Sequence, residues 1–182
     1  EFIGTFFLTL TIFIAALGGQ AGVHAPIAIG LTLMVMIYAL GHVSGAHFNP
    51  AVSIGLFVKG DCSKDELPVY LGAQILAGVM AWIIGSKVIL SDLTIDEVDF
   101  ASTKAVLAAE ALFTFALVYV IINVATEQSG NQFYGAAIGL TVMAGAFTVG
   151  GISLGSFNPA VTTMLAASGK MAIADTWMHI AP

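Results

Sequence analysis

Arginine is absent from this chain, and charge of either sign is scarce. The 182 residues carry five basic side chains, all lysine, and eleven acidic ones, so charged residues make up 9%. A soluble domain carries roughly 25%. A chain with so little positive charge cannot replace phosphate counterions, which excludes nucleic acid as a partner. One cysteine, Cys62, excludes an internal disulfide, and its polar connector makes it an incidental thiol. The opening segment has no basic stretch before it and no small-residue cleavage site after it, so it does not read as a cleaved signal peptide. No nucleophile–base pair, phosphate loop or Cys/His cluster is visible, so neither enzyme chemistry nor a cofactor is expected.

What the chain does have is apolar surface. Hydrophobic residues make up 58% of it and glycines number 20. A soluble fold this apolar could not cover its own surface, whereas abundant glycine suits helices packed closely in lipid. Five long apolar stretches, near 2–19, 26–43, 67–90, 105–125 and 133–150, each approach the ~20 residues needed to cross about 30 Å of hydrocarbon. Two others, 50–58 and 159–167, are too short to span and reach roughly halfway at ~1.5 Å per residue. Connectors from Asp61 to Glu66, Asp92 to Asp99 and Glu127 to Gln132 hold most of the charge and are expected to be solvated loops. The few lysines fall on both sides of any threading, so charge asymmetry sets no orientation.

An internal repeat organises these stretches. At an offset of 109 residues, Glu1 pairs with Glu110 and Thr5-Phe6 with Thr114-Phe115. Ile29-Gly30-Leu31-Thr32 pairs with Ile138-Gly139-Leu140-Thr141, and Gly41 and Ser44 with Gly150 and Ser153. Phe48-Asn49-Pro50-Ala51-Val52 pairs with Phe157-Asn158-Pro159-Ala160-Val161, without a gap anywhere. The repeats occupy about 1–103 and 104–182 of a single transmembrane domain, 1–182. Three spans per unit, an odd number, force the second unit to run inverted. The third span of the second unit would begin near Trp177, so the sequence is expected to be truncated within its sixth span, and by a few residues at its start.

Asn49-Pro50-Ala51 and Asn158-Pro159-Ala160 each open one of the short stretches. Asparagine is a strong N-cap, and proline fits the first helical position because its missing N–H would be unpaired there. Each motif therefore starts a half-helix. In inverted repeats the two enter from opposite faces and their N-termini meet near the midplane, each with roughly half a positive charge. Facing one pore in low dielectric, they form a barrier to cations and to proton hopping. The asparagine amides can donate to a passing oxygen. One such motif alone would read as an ordinary helix start; two at the repeat offset do not.

The run Gly41-His42-Val43-Ser44-Gly45-Ala46-His47-Phe48-Asn49-Pro50-Ala51-Val52 resembles the first signature loop of the major intrinsic protein family, the aquaporins and glycerol facilitators. Glu1-Phe2-Ile3-Gly4-Thr5-Phe6 resembles that family's first helix, and Gln74 matches a recurrent position. The resemblance implies an all-α polytopic membrane protein, a right-handed bundle of six spans plus two half-helices. It also implies one pore per subunit, a homotetramer in the lipid bilayer of the plasma (cell inner) membrane, and a cytoplasmic N-terminus and 58–66 connector. By the same resemblance, carbonyls of Gly45, Ala46 and His47 line one half of the pore, and those of Leu154, Gly155 and Ser156 the other. Glu1 and Glu110 would support the re-entrant loops structurally; a proton relay is the alternative reading.

The family pattern breaks at one place. The position that usually holds an arginine after the second motif is Val161 here, and the other three constriction positions fall on Ile29, Ala146 and Gly155. This ring is small and apolar, which widens the pore but removes donors, and hydrophobic constrictions can dewet. The expectation is a passive, poorly selective pore for water and small uncharged solutes such as glycerol, urea or ammonia. A secondary transporter and a non-conducting membrane scaffold are the alternatives. His42 and His47 invite a metal or pH-gate reading, but a third ligand is missing and the resemblance places both in the re-entrant loop region. His24 and His179 carry no signal, and the seven methionines read as packing.

Overall fold

Among the described residues, four helices are long and apolar enough to cross a membrane: Gly22–Ser44, Glu66–Ile89, Thr103–Glu127 and Tyr134–Ser153, with mean hydropathies of 2.0, 1.8, 2.3 and 1.6 over their best windows. Only 22–28% of those windows is buried inside the protein. The remainder presents residues such as Val43, Leu112, Phe115 and Phe147 outward. Helices this apolar with so little packed surface are solvated by lipid, and the chain is an integral membrane protein.

The computed structural model describes residues 1–128 and 130–181. Ser129, in the third charged connector, and Pro182 lie outside the described residues. The α-helices are α1 (Phe2–Ile12), α2 (Ala25–Ser44), α3 (Pro50–Lys59), α4 (Glu66–Ile84), α5 (Thr103–Ile121), α6 (Tyr134–Ser153), α7 (Pro159–Ala167) and α8 (Trp177–Ile180). Among the described residues there is no strand. α1, α4 and α5 run on into π-helical turns at Phe13–Leu17, Gly85–Ile89 and Ile122–Glu127. The first apolar helix, Phe2–Leu17, is thus shorter than the 2–19 expected and falls below spanning length. Its end comes where Gly19 turns left-handed at φ +66°.

The ends of the elements follow from their caps. Ser102 opens α5 by accepting from Ala105 N at 3.3 Å. Gly60, at φ +101°, closes α3, and Asp61 N returns to Leu56 O at 2.9 Å. That six-to-one bond satisfies a carbonyl the helix leaves open. α3 and α7, with 10 and 9 residues, rise only about 15 Å, half a bilayer.

α2 packs on α6 at the centre, α1 on α4 and α5 on α6 around it. The central crossing is backbone on backbone. A Cβ on Gly30 would lie 2.7 Å from Gly139 O, and one on Gly139 only 2.5 Å from Gly30 O. Only glycine permits so close an approach, which is how small residues replace the hydrophobic drive that lipid removes.

The connector at 91–102 departs from the expected solvated loop. Its acids Asp92, Asp96, Glu97 and Asp99 are exposed, but Leu93, Ile95 and Phe100 are half-buried against Phe13, Val161, Met164, Leu165 and Met171. Val98 N also donates to Lys170 O at 2.9 Å. Apolar side chains alternate with the acids here, so one face of the connector can dock while the other stays wet.

Candidate functional site

Two loops, 45–49 and 154–158, descend from α2 and α6 and turn into α3 and α7. Neither is regular. Gly45 and Leu154 end the long helices in the left-handed region, at φ +77° and +68°. Ala46, Phe48, Gly155 and Phe157 also have positive φ, at 55°, 49°, 60° and 46°. A left-handed residue with a side chain costs about 1–2 kcal/mol, so something must hold this path.

Two carboxylates hold it. Glu1 Oε1 accepts from Ser44 Oγ at 2.7 Å and His47 N at 3.0 Å, while Oε2 accepts from Phe48 N at 2.7 Å and Gln74 Nε2 at 2.7 Å. Glu110 Oε1 accepts from Ser153 Oγ at 2.6 Å and Ser156 N at 3.1 Å, and its Oε2 from Phe157 N at 2.8 Å. Bonds to a charged acceptor contribute about 1.5–3 kcal/mol each, enough to offset the strained backbone. Glu110 is 1% exposed, which such a carboxylate tolerates because its oxygens are filled. The phenylalanines wedge the loops from the other side. Phe48 fills the space over Gly4, and Phe157 stacks on Phe113 with centroids 5.5 Å apart.

The half-helices start where the loops end. Asn49 Oδ1 accepts from Ala51 N and Asn158 Oδ1 from Ala160 N, each at 2.9 Å. Their amide nitrogens cross to the other loop: Asn49 Nδ2 donates to Phe157 O at 2.7 Å and Asn158 Nδ2 to Phe48 O at 2.9 Å. The two N-termini are therefore joined back to back. Each amide has two hydrogens, so one of each remains for another acceptor.

Both N-termini meet on a cavity of about 280 Å³ lined mostly by apolar side chains. Asn49, Asn158, Ala46, His47, Leu154, Gly155 and Ser156 line it, and so do Ile29, Ala146 and Val161. A second cavity, of about 380 Å³, is lined by Gly45, Ala46 and His47, with Asp61 among its other residues. The two share Ile37, Ala46, His47, Val52, Ile121 and Ile138, so they adjoin around the first loop. Irregular backbone at membrane depth is tolerable where it is buried in protein or lines a water-filled cavity. Glu1, Glu110 and Gln74 line neither cavity and stand behind the loops.

The profile of the family described as "Major intrinsic protein" matches residues 1–146. The chain belongs to the major intrinsic protein family. It is 36% identical over 114 residues to a probable aquaporin NIP-type from Nicotiana alata, a match covering 60% of this chain and 42% of that protein. It is 42% identical over 76 residues to aquaporin Z of Brucella melitensis biotype 1, covering 38% of this chain and 33% of the relative. The matched segments thus span less than half of these relatives. The X-ray structure of the aquaglyceroporin from Plasmodium falciparum superposes with a TM-score of 0.73 and 25% identity, over 97% of this chain and 84% of the other.

Within this family member, several supporting residues escape the motifs. Tyr70 Oη donates to Ser44 O at 2.9 Å, and His179 Nε2 lies 2.7 Å from Ser153 O. His179 is 4% exposed and belongs to the site, against the expectation that it carried no signal. Its Nε2 also lies 3.9 Å from Glu110 Oε1. The repeat offset does pair Tyr70 with His179, so the signal was present but chemically disguised. Ser53 and Thr162 form a second such pair: Ser53 Oγ is 3.0 Å from His47 Nδ1, and Thr162 Oγ1 is 2.7 Å from Ser156 Oγ.

His42 and His47 separate. His42 sits in the last turn of α2, because that helix continues until Gly45 turns left-handed, so only His47 is in the loop. Among the described residues no group of three His, Cys, Asp or Glu could hold a metal ion.

Proposed function

We propose that this protein is a passive transmembrane channel for water and small uncharged solutes such as glycerol, urea or ammonia. The observation that carries this reading is the pair of asparagine-capped N-termini meeting on one cavity. Opposed half-helix dipoles disfavour a cation between them, while the remaining amide hydrogens and the loop carbonyls replace solvent around a neutral molecule. Passage needs no chemistry, so the reading is of a channel rather than an enzyme.

The selectivity constriction in this reading is Ile29, Ala146, Gly155 and Val161. None of the four side chains offers a donor, and two are alanine or glycine, so size rather than hydrogen bonding filters solutes there. The relatives named aquaporins and the aquaglyceroporin likeness support the solute class. The family resemblance supports a homotetramer in the plasma membrane, with two inverted repeats, about 1–103 and 104–182, building each pore.

Stopped-flow light scattering on proteoliposomes of the full-length protein tests this, comparing a sucrose jump with a glycerol jump. Rapid shrinkage in both, with re-swelling only in glycerol, is the expected outcome. Shrinkage without re-swelling would refute the wide constriction but keep the channel. Rates equal to empty vesicles would refute the channel and favour a non-conducting scaffold, and flux that saturates with solute would favour a transporter.

A further inference from the structure

We propose that Lys170 is a selectivity residue, a fixed positive charge at the mouth of the first cavity that rejects small cations. This rests on the channel reading above. Among the described residues lining the two cavities, Lys170 is the one lysine, and the constriction it shares a cavity with has no charge of its own. Its place is built. Gly169, left-handed at φ +77°, turns the chain after α7, and Lys170 N returns to Leu165 O at 3.0 Å.

The side chain is anchored without being neutralised. Lys170 Nζ donates to the backbone carbonyl of Asp96 at 3.0 Å, not to its carboxylate, and Val98 N donates to Lys170 O at 2.9 Å. No ion pair involves Lys170 among the described residues, whereas Lys59, near the second cavity, is held by Asp61 and Glu127 at 2.6 and 2.8 Å. The connector's acids Asp92, Asp96, Glu97 and Asp99 are exposed and line neither cavity. Among the described residues lining the first cavity, the one formal charge is therefore the lysine's.

An ammonium held this way acts on ions and spares neutral solutes. A unit charge roughly 10 Å from a passing ion, at an effective dielectric constant near 20, changes its occupancy on the order of tenfold. Water and urea feel no such force. The apolar ring and the half-helix dipoles add their own barriers to the same ion, so removing Lys170 lowers the total without abolishing it.

The test uses full-length protein in proteoliposomes, with water flux and potassium flux measured on the same preparations of wild type, K170R, K170Q and K170E. The expected result is a potassium-to-water flux ratio at the wild-type level in K170R, about tenfold higher in K170Q, and higher again in K170E. Equal potassium flux in all four, with water flux intact, would overturn the assignment while leaving the channel standing. A wild type with no water flux above empty vesicles would overturn the channel reading, and this assignment with it. Loss of water flux in K170Q and K170E but not in K170R would show that the residue holds the mouth open instead, and would also overturn it.

Discussion

Asn49 and Asn158 are each other's anchors: each side-chain amide donates to the carbonyl that immediately precedes the other residue, at 2.7 and 2.9 Å. Each asparagine caps its own half-helix and at the same time ties down the loop feeding the other. The two loops are thus mechanically one unit.

That double role can be separated by substitution. N158S keeps an oxygen able to cap Ala160 N but cannot reach Phe48 O, and the buried carbonyl left unpaired costs about 1–3 kcal/mol. N158A loses the cap as well, about 1 kcal/mol more. Unfolding midpoints of the purified protein in detergent should fall in the order wild type, N158S, N158A. A serine variant as stable as wild type would show that the cross-loop bond contributes nothing.

His179 stands where the first half of the chain has Tyr70, and both address the last carbonyl of a long helix. H179L should therefore destabilise the protein by about 1–3 kcal/mol, because the buried Ser153 O loses its bond to Nε2. H179Y should restore most of the loss, since a phenol makes the equivalent bond in the other loop. Thermal melts of the two variants check this, and equal melts would mean that the hydrogen bond to Ser153 O is not what His179 contributes.

Val161 is 3% exposed and lines the first cavity beside Asn158. V161R puts bulk and charge into an otherwise apolar ring. Glycerol flux should fall on the order of tenfold relative to water flux, a barrier rise of about 1.4 kcal/mol. Unchanged glycerol-to-water ratios in stopped-flow traces would mean the narrowest point lies elsewhere.

Burial pushes the Cys62 thiol above its ordinary range, with the nearby Glu66 and Glu1 carboxylates adding to the effect. The thiolate is the reactive form, so a raised pKa leaves less of it at neutral pH. Alkylation of Cys62 by a maleimide should be slow at pH 7 and should accelerate only at higher pH than alkylation of a free cysteine does. A pH profile matching that of free cysteine would contradict this.

Apolar run lengths located the four helices that are long enough to cross a membrane among the described residues and the short ones at 50–58 and 159–167, while the first run, 2–19, forms a helix below spanning length. This works because lipid allows no unpaired backbone, so hydrophobic length translates directly into span. The caps were legible too, since Asn-Pro is a local signal that needs no distant partner. The family resemblance named Glu1 and Glu110 as loop supports, but residue pattern alone could not show the contacts by which they hold the loops. Glu1 lies 46 residues from His47 in the chain and Gln74 lies 73 from Glu1, and only packing brings them within 3 Å.

The same limit explains His179, Lys170 and the docked connector. His179 differs in chemistry from Tyr70, so their shared task appears only when both are seen on equivalent carbonyls. Lys170 is one of five scattered lysines in the sequence, and only the fold places it on a cavity. Local pattern determined which segments cross and where each half-helix begins. The tertiary structure decided which side chains hold the two loops, because hydrogen bonds and charges act over a few ångströms of space and not along the chain.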